Sequence, residues 1–431
     1  DLVTATGTVR AGDVDADATQ ASSVQSAHSA AYGSFSVDPA AGVWTYTLDN
    51  SAGSAADVLD EGDVVTDSFT VQVADGHGGV ATQTVTVTIN GTNDKPTIDA
   101  ANTVVAGTVT ESGLTPAGAA EAGTPSASGQ LATLDVDAGA STQTWSVQGT
   151  PSTTYGSFAV DGNGLWTYTL DNSLVATQAL DVTDQVTQSY TVRVTDDFGA
   201  YVDQTVVITI NGTNDVPVIT STVAASSGDV IESGHADDGT AVAGTAVATG
   251  QLTASDVDAE DNAGNQTWSL DGVPSATYGS FAINASGEWT YTLNNSLAAT
   301  QALDEGDEVT ETFAVQVADG NGGVATQSVN VTITGTNDVP VITNNAAALA
   351  GAVTESGLTP AGAAEAGTVT ATGTLSASDV DTDATQAWSV QGANSTTYGS
   401  FSVDPATGVW TYTLDNSLVA TQALDVTDQV T

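Results

Sequence analysis

The motif Trp-Thr-Tyr-Thr-Leu begins at Trp44, Trp166, Trp289 and Trp410, with steps of 122, 123 and 121 residues between copies. Asp-Val-Asp at Asp13, Asp135, Asp256 and Asp379, and Tyr-Gly-Ser-Phe at Tyr32, Tyr155, Tyr278 and Tyr398, recur in the same phase. A chain with a period of about 122 residues folds as a row of like units, each large enough to enclose its own core. Gly-Thr-Asn-Asp closes three units at Gly91, Gly212 and Gly335, and Pro96, Pro217 and Pro340 follow shortly after. These junctions divide the chain into a partial repeat at 1–94, full repeats at 95–215 and 216–338, and a partial repeat at 339–431. Asp1 and Thr431 both fall inside a repeat, as expected of a window on a longer array.

Within a unit the side chains alternate. Trp44, Tyr46 and Leu48 share one face, with Thr45 and Thr47 on the other, and Phe69, Val71, Val73 and Val85, Val87, Ile89 follow the same rule. Turn signals separate the runs: Asp38-Pro39 to Gly42, Asp161-Gly162, and the loop Asp75 to Gly79. With 40% hydrophobic residues and a mean hydropathy of +0.01, the chain is not depleted enough in apolar residues to stay disordered. The expected fold is all-β: antiparallel immunoglobulin-like sandwiches in a linear array. A parallel β-helix would need far shorter repeats. The Trp/Tyr stripe reads as core rather than as a sugar-stacking platform. Gln-Thr-Trp-Ser-Val at Gln143 has relatives around Trp268 and Trp388, but the first repeat carries Ser22 in the Trp place.

Charge narrows the function classes. Against 52 Asp plus Glu stand 3 Lys plus Arg, a formal net charge of -49. Nucleic acid and anionic membrane surfaces are thereby excluded as partners, whereas dissolved cations are drawn to such a chain. Cysteine and methionine are absent, which removes disulfides, thiolate metal sites and thiol nucleophiles. No apolar run is long enough for a membrane span, so no membrane insertion is expected, and secretion is inferred without a visible signal. No Ser, His and Asp set recurs in phase and no phosphate-binding Gly loop is present, so the chain reads as non-catalytic. His28, His77 and His235 sit at different phases and read as solvated loop side chains.

Tyr-Gly-Ser-Phe, Trp-Thr-Tyr-Thr-Leu-Asp-Asn and Gly-Thr-Asn-Asp together resemble the VCBS repeat of large RTX-type and biofilm-associated bacterial adhesins, over essentially the whole chain. More distantly, each unit is similar to a cadherin domain through Leu303-Asp304-Glu305, Val317-Ala318-Asp319-Gly320 and Asn337-Asp338-Val339-Pro340. The resemblance implies cadherin-like sandwiches with structural calcium between them, in a secreted protein of the bacterial cell surface. Its implied partners are calcium, the neighbouring repeats, and a host, matrix or bacterial surface reached through regions outside this stretch. A cadherin junction carries a further acidic residue before Asn-Asp and an Asn after it; here Gly-Thr precedes, and Val or Lys follows. That departure implies one or two ions per junction. Leu180-Asp181-Val182 and Leu424-Asp425-Val426 lack the Glu of Leu-Asp-Glu, so junctions are expected to differ in strength.

The carboxylates themselves suit a hard cation. On extended backbone Asp256 and Asp258 would point the same way, roughly 6.5 to 7 Å apart, with Val257 facing inward. Asp215 and Glu111 complete the expected cluster. Each carboxylate pair at that spacing repels by roughly 2.5 kcal/mol at an effective dielectric of 20. The same phases nominate Asp94, Asp135 and Asp137 at the first junction, and Glu232, Asp338, Asp379 and Asp381 at the third; Asp181, Asp304 and Asp319 are weaker candidates. Asp-Val-Asp as a mere polar loop, and Asn-Asp as an Asx turn, is the blander reading. Recurrence in phase and the scarcity of basic partners weigh against it. An EF-hand at Asp379 fails because position six is Ala384 and position twelve Val390. The resulting expectation is a calcium-stiffened spacer of an adhesin. The alternatives are a glycan- or protein-binding module and an accessory region of a secreted polysaccharide-degrading enzyme.

Overall fold

The computed structural model describes residues 3–137, 142–258, 261, 265–392 and 397–431. It divides into two compact units, Asp1–Val216 with Val257–Glu260, and Pro217–Asp256 with Asp261–Thr431. At 3% helix and 44% strand, the chain is all-β, as its alternation requires.

The second repeat shows the architecture most fully. One sheet orders Ser126–Gln130, Leu165–Leu170 and Gly156–Val160, all antiparallel. The other orders Thr144–Val147, Gln185–Thr195, Tyr201–Asn211 and Ala106–Thr110. Its long central hairpin is antiparallel, but the opening strand Ala106–Thr110 runs parallel to the last strand, pairing Ile208 with Gly107 and Ile210 with Val109. Alternation buries Tyr190, Val192 and Val194 from one strand, and Val206, Ile208 and Ile210 from its neighbour, against Trp166, Tyr168 and Leu170 of the facing sheet. Phe158 stacks on Tyr190 with ring centroids 4.2 Å apart, tying the two sheets together.

Trp166 explains two glycines. Its indole is fully buried, and a Cβ at Gly107 or Gly129 would lie 2.8 or 2.7 Å from the ring. Its Nε1 donates to the Val104 carbonyl at 2.7 Å, so the buried polar edge is satisfied. The third repeat repeats this plan with Val247–Gln251, Glu288–Leu293 and Gly279–Ile283 in one sheet. Its second sheet comprises Thr267–Leu270, Glu308–Ala318, Val324–Thr334 and the parallel opening strand Ser227–Ile231. The first repeat has both sheets with three strands each. In the fourth, the sheet of Thr370–Thr374, Val409–Leu414 and Gly399–Val403 is formed.

A buried polar pin recurs behind the aromatic stripe. Tyr46 Oη donates to Asp67 at 2.7 Å and Tyr291 Oη to Glu311 at 2.6 Å, while in the second repeat Tyr168 and Tyr190 both donate to Gln188 Oε1. Three chemically different residues thus accept at one phase.

Candidate metal centres

The Asp-Val-Asp segments are not strands. Asp13, Asp135 and Asp379 each accept the amide of the Asp two residues on, at 2.9, 3.4 and 3.4 Å, which folds the segment into an Asx turn. The expectation that Val257 faces inward is therefore wrong: Val257 is 50% exposed, and Asp256 and Asp258 are 8% and 0% exposed. The turn, not the pleat, aims the carboxylates.

A second hydrogen bond joins each turn to the Asn-Asp segment before it. The amides of Asp94, Asp215 and Asp338 donate to Oδ2 of Asp137, Asp258 and Asp381 at 2.9, 2.7 and 2.7 Å. Each bond brings a second carboxylate beside the first.

In the first unit, one cluster holds Asp94, Asp135 and Asp137 with Asp60. Burial raises the proton affinity of Asp137, and Asp135, Asp60 and Asp94 raise it further, against the Asp94 amide bond. Asp94 is raised by burial, then by Asp57 and Asp135. Asn93 donates from its side chain to Asp196 at 3.2 Å, bringing in the hairpin loop of the second repeat.

A second cluster, in the same unit, holds Glu111, Asp181, Asp215 and Asp258. Glu111 is fully buried, and Gln178, at the end of the one-turn helix Val175–Gln178, donates to its Oε1 at 2.7 Å. Burial pushes Glu111 up to about 8, with Asp215 and Asp258 adding; the Gln178 side-chain bond and the Thr213 backbone bond pull the other way. Asp181 and Asp258 offer carboxylate oxygens within 4.8 Å of one another.

In the second unit, Glu232, Asp304, Asp338, Asp379 and Asp381 gather. Gln301 donates to Glu232 Oε1 at 3.0 Å, as Gln178 does to Glu111. Burial pushes Glu232 up to about 7, aided by Asp338 and Asp381 and opposed by the Gln301 and Thr336 bonds. Asp381 is raised by burial, then by Asp304, Asp338 and Asp379 against the Asp338 amide bond. Asp338 is raised by burial and Asp379, while His235 pulls it down. His235 is no solvated loop residue: it lies in the short strand Gly234–His235, half-buried, with its amide donating to the Asn337 carbonyl at 2.7 Å. Its phase-mate Leu114 bonds Asn214 in the same way, so backbone pairing fixes this position whatever its side chain. The side chain of His28 lies outside the described residues.

Asp256 and Asp319 also fall in the second unit. Asp319 Oδ1 accepts the amides of Asn321, Gly322 and Gly323 and so organises its own hairpin loop. Motif reading missed Asp60, Asp196 and Glu355. Asp60 shares its phase with Asp181 and Asp304, Asp196 shares its with Asp319, and Glu355 shares its with Glu111 and accepts from Gln422 at 2.8 Å. Phase alone was the available signal.

The donor set suits a hard cation. Glu111 Oε2, Asp137 Oδ1, Asp215 Oδ2, Asp338 Oδ2 and Asp381 Oδ1 are buried without a hydrogen-bond partner of good geometry. Buried carboxylate oxygens without donors, gathered at several places, are what an oxygen-liganded divalent ion requires. Basic residues do not compete for them: among the described residues the one ion pair is Arg193 with Asp203, on the rim of a hairpin.

Fold and clusters together define a tandem all-β array with acidic sites. The bacterial cadherin-like domain matches three times, at residues 1–91, 93–212 and 214–335, and the chain belongs to that family. No curated protein matches the chain. Among solved structures, mouse cadherin-23 EC22-24 aligns over 76% of this chain and 89% of its own, at 15% identity and a TM-score of 0.38. Protocadherin gamma B2 domains 1-5 align at 16% identity and 0.42, over 74% of this chain, which spans 53% of that one. The human desmocollin-1 ectodomain aligns over 97% of this chain and 70% of its own, at 14% identity and 0.29. Among the described residues no helix is long and apolar enough to cross a membrane.

Proposed function

We propose that the chain is a non-catalytic spacer of a secreted, cell-surface bacterial adhesin, with repeats bounded at Asp94, Asp215 and Asp338 and stiffened by calcium. The observation that carries this reading is the recurring bond from the Asn-Asp amide to the second Asp of the following Asp-Val-Asp turn, with donorless carboxylate oxygens around it. Family membership supports an adhesion-type or spacer role.

Asp60, Asp94, Asp135 and Asp137 would hold calcium at the first junction, and Glu232, Asp304, Asp338, Asp379 and Asp381 at the third. Bound calcium supplies positive charge that offsets carboxylate repulsion and burial. The chain's own residues do the positioning. Gln178 holds Oε1 of Glu111 and leaves Oε2 to face the cluster, whereas Glu232 is held at both oxygens, Oε1 by Gln301 and Oε2 by the Thr336 amide at 3.3 Å. The Asp94 and Asp338 amides fix the rotamers of Asp137 and Asp381. Since those two bonds link sequence on either side of a proposed boundary, filling the cluster would restrict one repeat against the next.

Calcium calorimetry on the whole chain tests this. Saturable binding that weakens at least tenfold at the affected sites in Asp137→Asn with Asp381→Asn is expected. Absence of heat, or unchanged binding in the double variant, would refute it.

A further inference from the structure

The first repeat has a cleft of about 250 Å³, lined by Val9, Arg10, Gln20, Ser22, Gly42 and Val73 among others. Ser22 faces Val73 across the ladder just as Trp145 faces Val194 and Trp268 faces Val317. The amide of Ser22 donates to the Pro39 carbonyl at 2.8 Å; Trp145, Trp268 and Trp388 make the same bond to Gly162, Ala285 and Pro405. Both indoles of the two full repeats are buried, Trp145 at 6% and Trp268 at 5% exposure.

The seat that receives those rings is intact. Gly164, Gly287 and Gly408 adopt positive φ and approach so closely that a Cβ would lie 2.7, 3.0 and 2.8 Å from Nε1 of Trp145, Trp268 and Trp388. Gly42 holds the same conformation, at φ +62°, and its carbonyl takes the Val9 amide at 2.9 Å, as Gly164 takes that of Leu131. The side-chain atom nearest its virtual Cβ is Ser22 Oγ at 3.4 Å. Backbone, turn and floor are therefore those of an indole seat, with a hydroxyl where the ring belongs. Val9 replaces the larger Leu131, widening the cleft, and Arg10 stands where the other repeats have Ala132, Thr253 and Ser376.

We propose that this cleft is a binding site for an indole ring supplied from outside the repeat. Three repeats of the same chain demonstrate the shape that fits. The cleft exceeds the roughly 150 Å³ of an engineered cavity that admits benzene. An exposed guanidinium at the rim favours an electron-rich ring over a saturated one, through cation–π attraction. The ring comes as free indole or as the tryptophan side chain of a peptide.

Indole and a short peptide with one central tryptophan are titrated separately into the whole chain, following the amide signals of Ser22, Gly42 and Val73. Saturable shifts confined to these signals are expected. Free indole alone shifting them identifies a small-molecule site, and tighter binding of the peptide identifies a side-chain socket. Arg10→Ala is expected to weaken binding roughly two- to fivefold. Ser22→Trp supplies the ring in cis and should abolish the shifts while raising the thermal midpoint of the first repeat. Should that variant misfold, the amide map of the parent chain still decides. No saturable shift up to the solubility limit of indole, or equal binding in a folded Ser22→Trp variant, overturns the proposal.

Discussion

Replacing Glu111 by Gln separates the electrostatics of the buried clusters from their packing. Glu111 is fully buried and pushed up to about 8 from an ordinary 4.5. A carboxyl whose folded value is raised binds its proton more tightly in the fold than in the unfolded chain. It therefore stabilises below the unfolded value, and that contribution is lost as pH rises from about 4.5 to about 8. At about 1.4 kcal/mol for each tenfold change in proton affinity, the ion-free fold loses up to about 5 kcal/mol across that window. Gln cannot ionise, so the variant escapes this loss. Its new amide nitrogen faces the oxygens of Asp215 and Asp258 where Oε2 stood, and imperfect pairing there returns about 1 to 3 kcal/mol. In chelator at pH 8 the variant should thus be about 2 to 4 kcal/mol more stable than the parent, and at pH 5.5 nearly equal. Urea unfolding followed at the amides of Tyr190, Val192 and Ile208 measures the second repeat without mixing in the others. In calcium the order should reverse, because only the parent has the full anionic set. Equal stabilities at pH 8 in chelator, or a difference that does not change with pH, would refute the reasoning.

Calcium affinity at the Glu232 cluster should fall as pH drops through about 7, because protons occupy the raised carboxyl; pH-independent affinity in calorimetry would count against Glu232 as a ligand. Hydrogen exchange should find residues 1–94 less protected than residues 97–213, since the Trp-to-Ser difference at Ser22 is worth roughly 3 to 5 kcal/mol in a packed core; equal protection contradicts this. Glu311→Gln should alter stability by about 1 kcal/mol or less, because Gln188 occupies that phase in the second repeat, whereas Glu311→Ala strands the Tyr291 hydroxyl and the Thr277 and Tyr278 amides and should lose about 3 to 5 kcal/mol. Matching losses for the two variants would show that charge, not hydrogen bonding, matters there.

Alternation and turn chemistry made the sheets and core legible, because Tyr168, Tyr190 and Val192 lie inward for the reason their spacing gives. The parallel pairing of Ala106–Thr110 was not legible: a five-residue strand carries no mark of its partner's direction. The site was legible by residue type and phase, and misread in geometry. Period-two reasoning put Val257 inside, but an Asp carboxylate accepting the amide two residues on overrides the pleat over so short a segment. Burial of Glu111 and Glu232 depends on strands about a hundred residues away in sequence, Tyr201–Asn211 and Val324–Thr334, so no local pattern announces it. His235 escaped because its neighbour Asn337 is equally remote.

Small-angle scattering of the whole chain, in millimolar calcium and then in chelator, decides whether calcium stiffens the array. A more extended and more sharply defined distance distribution is expected with calcium, reverting in chelator to a broader ensemble while circular dichroism stays constant, because the sandwich cores do not depend on the ion. Superimposable scattering profiles, together with no calcium heat in calorimetry, would contradict it and leave the Asp-Val-Asp segments as solvated turns.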